Sequence, residues 1–496
     1  MMTTRLYLLL VLACMTHACS VEIPRHAKEV TLPVAISPDY TGITIPYNIA
    51  PLHFTILLDA EEYVTVARGT RSGSLIVRGK EIHFPLKAWR ALLLANKGEA
   101  ILLDIYLKRA GEWLKLPRTR NRVSPDPIDE YIAYRLIEPG YTYYWDLSIR
   151  QRNLTSFEER DIFNNRIYPQ SDQRLCINCH SFQNYRTAHM QFHGRGDRGG
   201  TIIVKEGRPI KVELKAGDLV SGGVYPAWHP YENLIAYSVN QTGQVFHSRD
   251  PRKVEVQDLL SDLILYDVDR NTVAYIAHDS CELETFPAWS PDGNTLYYAS
   301  APYTPTFANR SRDVIVHYKE IRYNIVRRTF DPISRQFGDM EVVFDAVRLG
   351  KSATLPRISP DGRYLLFTLG EFGTFHIWHP ESDLYIVDLQ SGECRPLENA
   401  NSSHVESYHS WSSNGRWIIF SSRRDDGSYT RPYITHFDGE GRCTKPFILP
   451  QRDPSLYGKL YKSFNITEFM VEPVTTSPRA FANAFKKEAV QARMTR

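Results

Sequence analysis

One thirteen-residue pattern returns in the second half of the chain, and it restricts the fold more than any other feature. It spans Tyr225 to Tyr237, Phe286 to Tyr298, Leu355 to Phe367 and Tyr408 to Phe420. Each copy is an apolar run, a turn of the kind Ser290-Pro291-Asp292-Gly293, and a second apolar run. Proline pre-sets the turn, while Asp or Asn and Gly supply its left-handed corner. A second hairpin follows the copies, as in Asp262 to Asp267 with Val273 to Ile276, and Asp383 to Asp388 ahead of Gly392. Two hairpins per repeat make the four-stranded blade of a β-propeller. Four blades are explicit. A further one can be assembled from Thr201 to Leu214 with a closing contribution near Lys462 to Val471, so five or six are expected. Tyr303 to His317 is an insertion expected to form a lid or rim.

The first half is also β-rich. Leu52 to Leu57, Tyr63 to Val66 and Ser74 to Arg78 alternate, a short helix is expected over Lys87 to Asn96, and strands resume at Ala100 to Leu107 and Trp113 to Leu116. Tyr131 to Ile137 and Tyr141 to Ile149 complete a β-sandwich-like domain over residues 43–150. Thr155-Ser156-Phe157-Glu158-Glu159 reads as a helix start, running to about Asn165. The 29 tyrosines fit a mainly β chain. A net charge of +3 on 496 residues, with no basic stripe, excludes an electrostatic case for nucleic acid. The expected order is a signal at 1–19, a tether at 20–42, the sandwich, a helix and attachment segment at 151–198, the propeller at 199–475 and a tail at 476–496.

Chemistry concentrates at Cys176-Ile177-Asn178-Cys179-His180. Cys-x-x-Cys-His is the pattern by which haem is attached in c-type cytochromes. Two thiols on one turn meet the two vinyl groups of one porphyrin, and the adjacent imidazole lies under the iron. Cys176 and Cys179 are thus candidates for covalent attachment of one haem c, with His180 as proximal ligand. Met190 or His193 would complete the iron, a Met raising the potential and a His lowering it. His189, a ligand from elsewhere or an open position are alternatives. Zinc held by Cys176, Cys179, His189 and His193 competes, although the gap is short for a finger. So does a dithiol or disulfide, although no thioredoxin-type unit surrounds the motif.

The N-terminus bears on this choice. Met1 to Arg5 is positively charged and Leu6 to Leu12 is an apolar run too short for a permanent anchor. Ala18-Cys19-Ser20 then resembles the cleavage site of a bacterial lipoprotein, which would leave Cys19 lipidated. Thr16 and His17 depart from that pattern, and a plain secretory signal is the alternative. Haem c is attached outside the cytoplasm, where an exposed zinc-thiolate site faces oxidation. Cys281, Cys394 and Cys443 remain, and read as small buried residues.

The Trp-Ser-Pro-Asp-Gly repeats, over about Gly199 to Phe469, resemble the TolB-like family of β-propellers. Together with the export signal and Cys-Ile-Asn-Cys-His-Ser-Phe, they look like the cytochrome-bearing TolB-like lipoproteins of Bacteroidetes-type bacteria. That resemblance implies haem c and a place in the periplasm or at the outer membrane, with the lipid as membrane contact. It supplies no substrate; a haem c at this motif makes electron transfer or redox sensing with a docked envelope partner the preferred expectation. A binding or scaffold propeller with structural or no haem, and a haem enzyme such as a peroxidase, are the alternatives. Loops entering the innermost strands would place Glu282, Glu284, Lys351, His404 and Glu406 at the propeller mouth, as a ligand site or a solvated rim.

Overall fold

The computed structural model describes residues 22–138, 146–167, 175–196 and 198–495. The chain is mainly β and divides into two compact units, one of residues up to Pro125 with Pro450–Gly458, the other of Asp126–Leu449 with Lys459–Arg496. The proposed lipid-anchor cysteine, Cys19, lies outside the described residues.

In the first unit, Ala100–Arg109 is the hub of a seven-stranded sheet, paired with Glu62–Gly69, Glu112–Lys115 and Thr119–Ser124. Ile36–Ser37, Phe54–Ile56 and Glu81–Ile82 form a second, small sheet. The expected helix is present at Leu86–Ala95, entered from Pro85. It buries Trp89, which stacks on Phe84 with ring centroids 5.0 Å apart.

The second unit is a six-bladed propeller. Its innermost strands are Cys176–Gln183, Val224–Trp228, Glu282–Trp289, Ser352–Ile358, Glu406–Trp411 and Ser463–Met470. Each neighbours the next, and the last neighbours the first, which closes the ring. The closing blade is built from both ends of this unit. Ser463–Met470 pairs with Tyr131–Ile137, which continues to Ser148–Asn153 and Glu159–Asn164.

This pairing revises three expectations. Tyr131–Ile137 and Ser148–Asn153 belong to the propeller, so the first unit ends at Pro125 instead of near 150. The expected helix at 155–165 is the strand Glu159–Asn164. Thr155 and Ser156 instead serve a hairpin turn, where Asn153 Oδ1 accepts from the Thr155 amide and hydroxyl at 2.8 Å each and Ser156 Oγ accepts from the Glu158 amide at 3.2 Å. The segment at 151–198 is not separate, since Cys176–Gln183 and Arg186–Arg195 are the two inner strands of the first blade.

The repeated turn has a physical reason. At Ser290, Ser359 and Ser412 the hydroxyl accepts from the amide five residues on, at 2.9–3.0 Å, and donates to Asp292, Asp361 or Asn414. In the second blade His229 Nδ1 accepts from the Tyr231 and Glu232 amides instead. The insertion after the third blade's second strand carries the helix Arg310–His317. Residues 476–495 are packed onto the propeller. Phe481 and Phe485 of the helix Pro478–Lys486 join Phe163 and Phe192 in a core, and Val490–Gln491 and Arg493–Met494 extend the outer edges of the first two blades.

Candidate functional site

Every innermost strand carries one non-glycine residue in the left-handed region: Cys179, Tyr225, Phe286, Leu355, Tyr408 and Ile466, with φ between 45° and 57°. A break in ladder register accompanies each. Such a bulge costs about 1 kcal/mol and redirects a side chain. The Tyr225 and Phe286 rings lie 4.4 Å apart. Burial raises the Tyr225, Tyr408 and Cys179 acids, and Cys179 is close enough to add to the rise at both tyrosines. These residues form a collar across the channel. Cys179-His180-Ser181-Phe182 is therefore a copy of the repeat, aligned residue by residue with Tyr408-His409-Ser410-Trp411.

On one side of the collar lies a cavity of about 390 Å³, lined by Cys176, Asn178 and Cys179. In a regular strand Cys176 and Cys179 would face opposite ways. The left-handed turn at Cys179 shifts the alternation, so both thiols line one space. They form no disulfide. Asn178 Nδ2 lies 3.2 Å and Arg135 Nη2 3.9 Å from Cys176 Sγ. The two thiols, expected on one turn, thus stand on a bulged strand.

The adjacent strand adds His193, opposite Asn178, and Arg195, opposite Cys176. His193 Nδ1 is 3.1 Å from the Thr201 hydroxyl, and burial, with Arg195 nearby, pushes its imidazole down to about 4. Arg135, Arg195 and Arg423 all line the cavity, and none forms an ion pair among the described residues. Glu138 is the one carboxylate among the described lining residues. Arg423 is only 5% exposed, lies 3.3 Å above the Trp378 ring and donates to the Ile377 carbonyl. Burial draws it down to about 9. A low-dielectric space holding three unpaired guanidiniums favours an anionic occupant.

Two expected iron ligands lie elsewhere. His180 has no exposed side-chain surface and does not line the cavity. It occupies the place of Pro226, Pro287, Pro356, His409 and Thr467, turned into the blade wall. Its ring meets Phe182, and Nε2 is 3.9 Å from Glu468 Oε2. Burial, with Arg135 nearby, pushes it down to about 3. Met190, fully buried, packs in the core with Phe192 and Ile202. His189 bonds Gln183 at 2.5 Å and stacks on Trp228. Among the described residues no group of three or more His, Cys, Asp or Glu is placed to hold a metal ion, which removes the zinc set.

The expected mouth residues do not share this cavity either. Glu284 and Glu406 precede the left-handed residue by two, the place held by Ile177, and face the blade interior. Glu406 accepts from Ser402, Ser422 and Arg424 at 2.7–2.9 Å. Glu282 accepts from Ser300 at 2.7 Å, and Lys351 pairs with Glu371 at 2.5 Å. His404 lines a different surface cavity. Arg135, Arg195 and Arg423 carried no sequence signal, because they reach the mouth from second strands and a loop of three different blades.

No protein-family model and no curated protein matches the chain. Among solved structures, a nidogen/laminin complex is similar at 10% identity over 69% of this chain and 100% of that chain, TM-score 0.40. An oligogalacturonate lyase in complex with manganese is 12% identical over 84% of this chain and 99% of that chain, TM-score 0.30. A structure from an analysis of two prolyl endopeptidases is 10% identical over 63% of this chain, TM-score 0.36. That match spans 42% of the peptidase chain, under half its length. Likenesses at this level say nothing of activity, and the ring of blades is defined by strand pairing.

Proposed function

We propose that the protein is an exported, lipid-anchored haem c protein of TolB-like type that exchanges electrons with an envelope partner. One observation carries the reading: both thiols of Cys-x-x-Cys open into a single cavity with an imidazole and three unpaired guanidiniums. Cys176 and Cys179 would hold the group by thioethers. Arg135, Arg195 and Arg423 match the two carboxylates that a haem carries. Ile137, Leu147, Val224 and Ile377 supply apolar walls, and the volume lies within the range of small-molecule sites. When bound, a haem supplies one-electron chemistry. The residues do not fit ligation by His180 or Met190, whose side chains lie in the blade wall and the core.

The test is the pyridine haemochrome spectrum after acid-acetone extraction, on protein made with its own signal in a host that matures c-type cytochromes. A thioether-type spectrum is expected to survive extraction and to vanish in the Cys176→Ser, Cys179→Ser variant. A colourless wild type would overturn the reading. The buried position of His180, shared with His409, favours a second reading, a TolB-like binding module without haem. Its cavity would then take a small organic anion, and a shift of the melting temperature by citrate, lost in Arg423→Gln, would mark it.

A further inference from the structure

We infer that the chain binds a small zwitterion of the α-amino-acid class, through Arg357 and Glu468 in the channel beyond the collar. In each innermost strand the residue two places after the left-handed one faces the channel. These are Ser181, Ala227, Ala288, Arg357, Ser410 and Glu468, and all six line one cavity of about 520 Å³. It shares no lining residue with the thiol-lined cavity. Four of the six are small, which opens the space, and the two long ones carry opposite charges. Ser352–Ile358 and Ser463–Met470 hold them on the fourth and sixth blades, with Ser410 of the fifth between them. The pair is not closed. Arg357 Nη2 stands 3.8 Å from Glu468 Oε1, beyond hydrogen-bond reach. Glu468 Oε2 is buried and takes no hydrogen bond among the described residues.

His180 does not complete the carboxylate. Its Nε2 is 3.9 Å from Glu468 Oε2, too far for a hydrogen bond, and burial keeps the imidazole neutral. Among the described residues the Arg357 guanidinium makes no hydrogen bond and no other ion pair. A carboxylate and a guanidinium side by side, neither hydrogen-bonded to the other, recognise a dipole. A lone cation drawn to Glu468 meets Arg357 at nearly the same distance, and a lone anion drawn to Arg357 meets Glu468. A molecule whose ammonium and carboxylate sit on one carbon answers both, the ammonium donating to Glu468 and the carboxylate accepting from Arg357. Burial pushes the Glu468 acid up to about 7 while Arg357 opposes the rise, so an arriving ammonium favours the charged form. The walls suit an apolar side chain. Ala227 and Ala288 leave room beside Trp228 and Trp289.

The test is calorimetric titration of the full-length protein with L-phenylalanine, 2-phenylethylamine and 3-phenylpropionate, which share a ring and differ in the charges they keep. Wild type is expected to bind L-phenylalanine about tenfold or more tighter than either analogue. In Arg357→Gln the advantage over 2-phenylethylamine should vanish, and in Glu468→Gln the advantage over 3-phenylpropionate. A pocket that is merely damaged would not lose one preference and keep the other. Circular dichroism and melting curves establish that each variant is folded, and the wild-type comparison stands by itself where one is not. Neither heat nor a melting shift with millimolar L-phenylalanine, L-leucine or L-alanine would overturn the inference. So would an analogue that binds wild type as tightly as the amino acid, or folded variants that keep the wild-type preferences. Neither residue lines the thiol cavity, so the haemochrome result leaves this one unaffected.

Discussion

At the scale of single residues, burial decides which acids and bases this propeller can keep charged. Glu284 is 3% exposed, and burial, reinforced by Asp262, Glu282 and Asp279, pushes its carboxyl up to about 8. Between its ordinary value of 4.5 and about 8, the folded chain retains a proton that the unfolded chain has released. Stability from this group is therefore present below the lower value and lost as pH rises through the upper one. Glu284→Gln should escape the loss. In urea unfolding the variant should gain on wild type by up to about 4 kcal/mol between pH 5 and pH 8.5, and a gap that stays constant would refute this. His180, His376 and His409 are opposite cases, each held neutral by burial and drawn down to about 3. Their contribution is present above 6.5 and lost on acidification. None of these environments was readable in the sequence. Glu284 looked like a channel carboxylate because its loop enters an inner strand. The bulge two residues later determines which way it faces.

At the scale of elements, a copy of the repeat was hidden in plain view. Cys179-His180-Ser181-Phe182 matches Tyr408-His409-Ser410-Trp411, but it lacks the Ser-Pro-Asp-Gly turn that made the other copies visible. The turn here is Asn184-Tyr185, both with positive φ, reached by a different local chemistry. Ile466-Thr467-Glu468-Phe469, the closing copy, lacks the turn as well, because its partner strand comes from residues 131–137 instead of the next stretch of chain. Pairing across more than three hundred residues leaves no local signature. That partner strand is a sharp test of the closure. Ala133 lies in the middle of it, opposite Gln151 on one side and Glu468 on the other. Ala133→Pro deletes a ladder donor in an interior strand and should cost about 3 kcal/mol or more. Thermal melting of the variant should show a lowered, broadened transition, and a wild-type melt would mean the closing blade contributes little.

At the scale of the whole chain, the propeller is fastened by its last inner strand, Ser463–Met470. Truncation before Ser463 removes the innermost strand of the sixth blade and leaves Tyr131–Ile137 an exposed edge. That product should fail to give a cooperative melt or a monodisperse elution peak. Truncation after Glu488 removes only the short strands at the outer edges and should leave the ring folded, as circular dichroism would report. A cooperative melt of the shorter product would show that the ring closes without that strand. The sequence by itself determined the blade architecture, since a Ser hydroxyl, a proline and a left-handed Asp-Gly corner are local chemistry written in consecutive residues. Alternation also marked the first unit's strands at Phe54–Ile56, Glu62–Gly69, Ser74–Arg78, Ala100–Arg109 and Glu112–Lys115, and its helix was expected within a residue of where it lies. The sequence marked Cys176 and Cys179 as the chemistry-bearing pair. Only the tertiary structure decided what surrounds them. The left-handed turn at Cys179 turns both thiols one way and His180 the other, and Arg135, Arg195 and Arg423 meet at the cavity from different blades. Those placements follow from ring closure and strand register, which join residues that no local pattern connects.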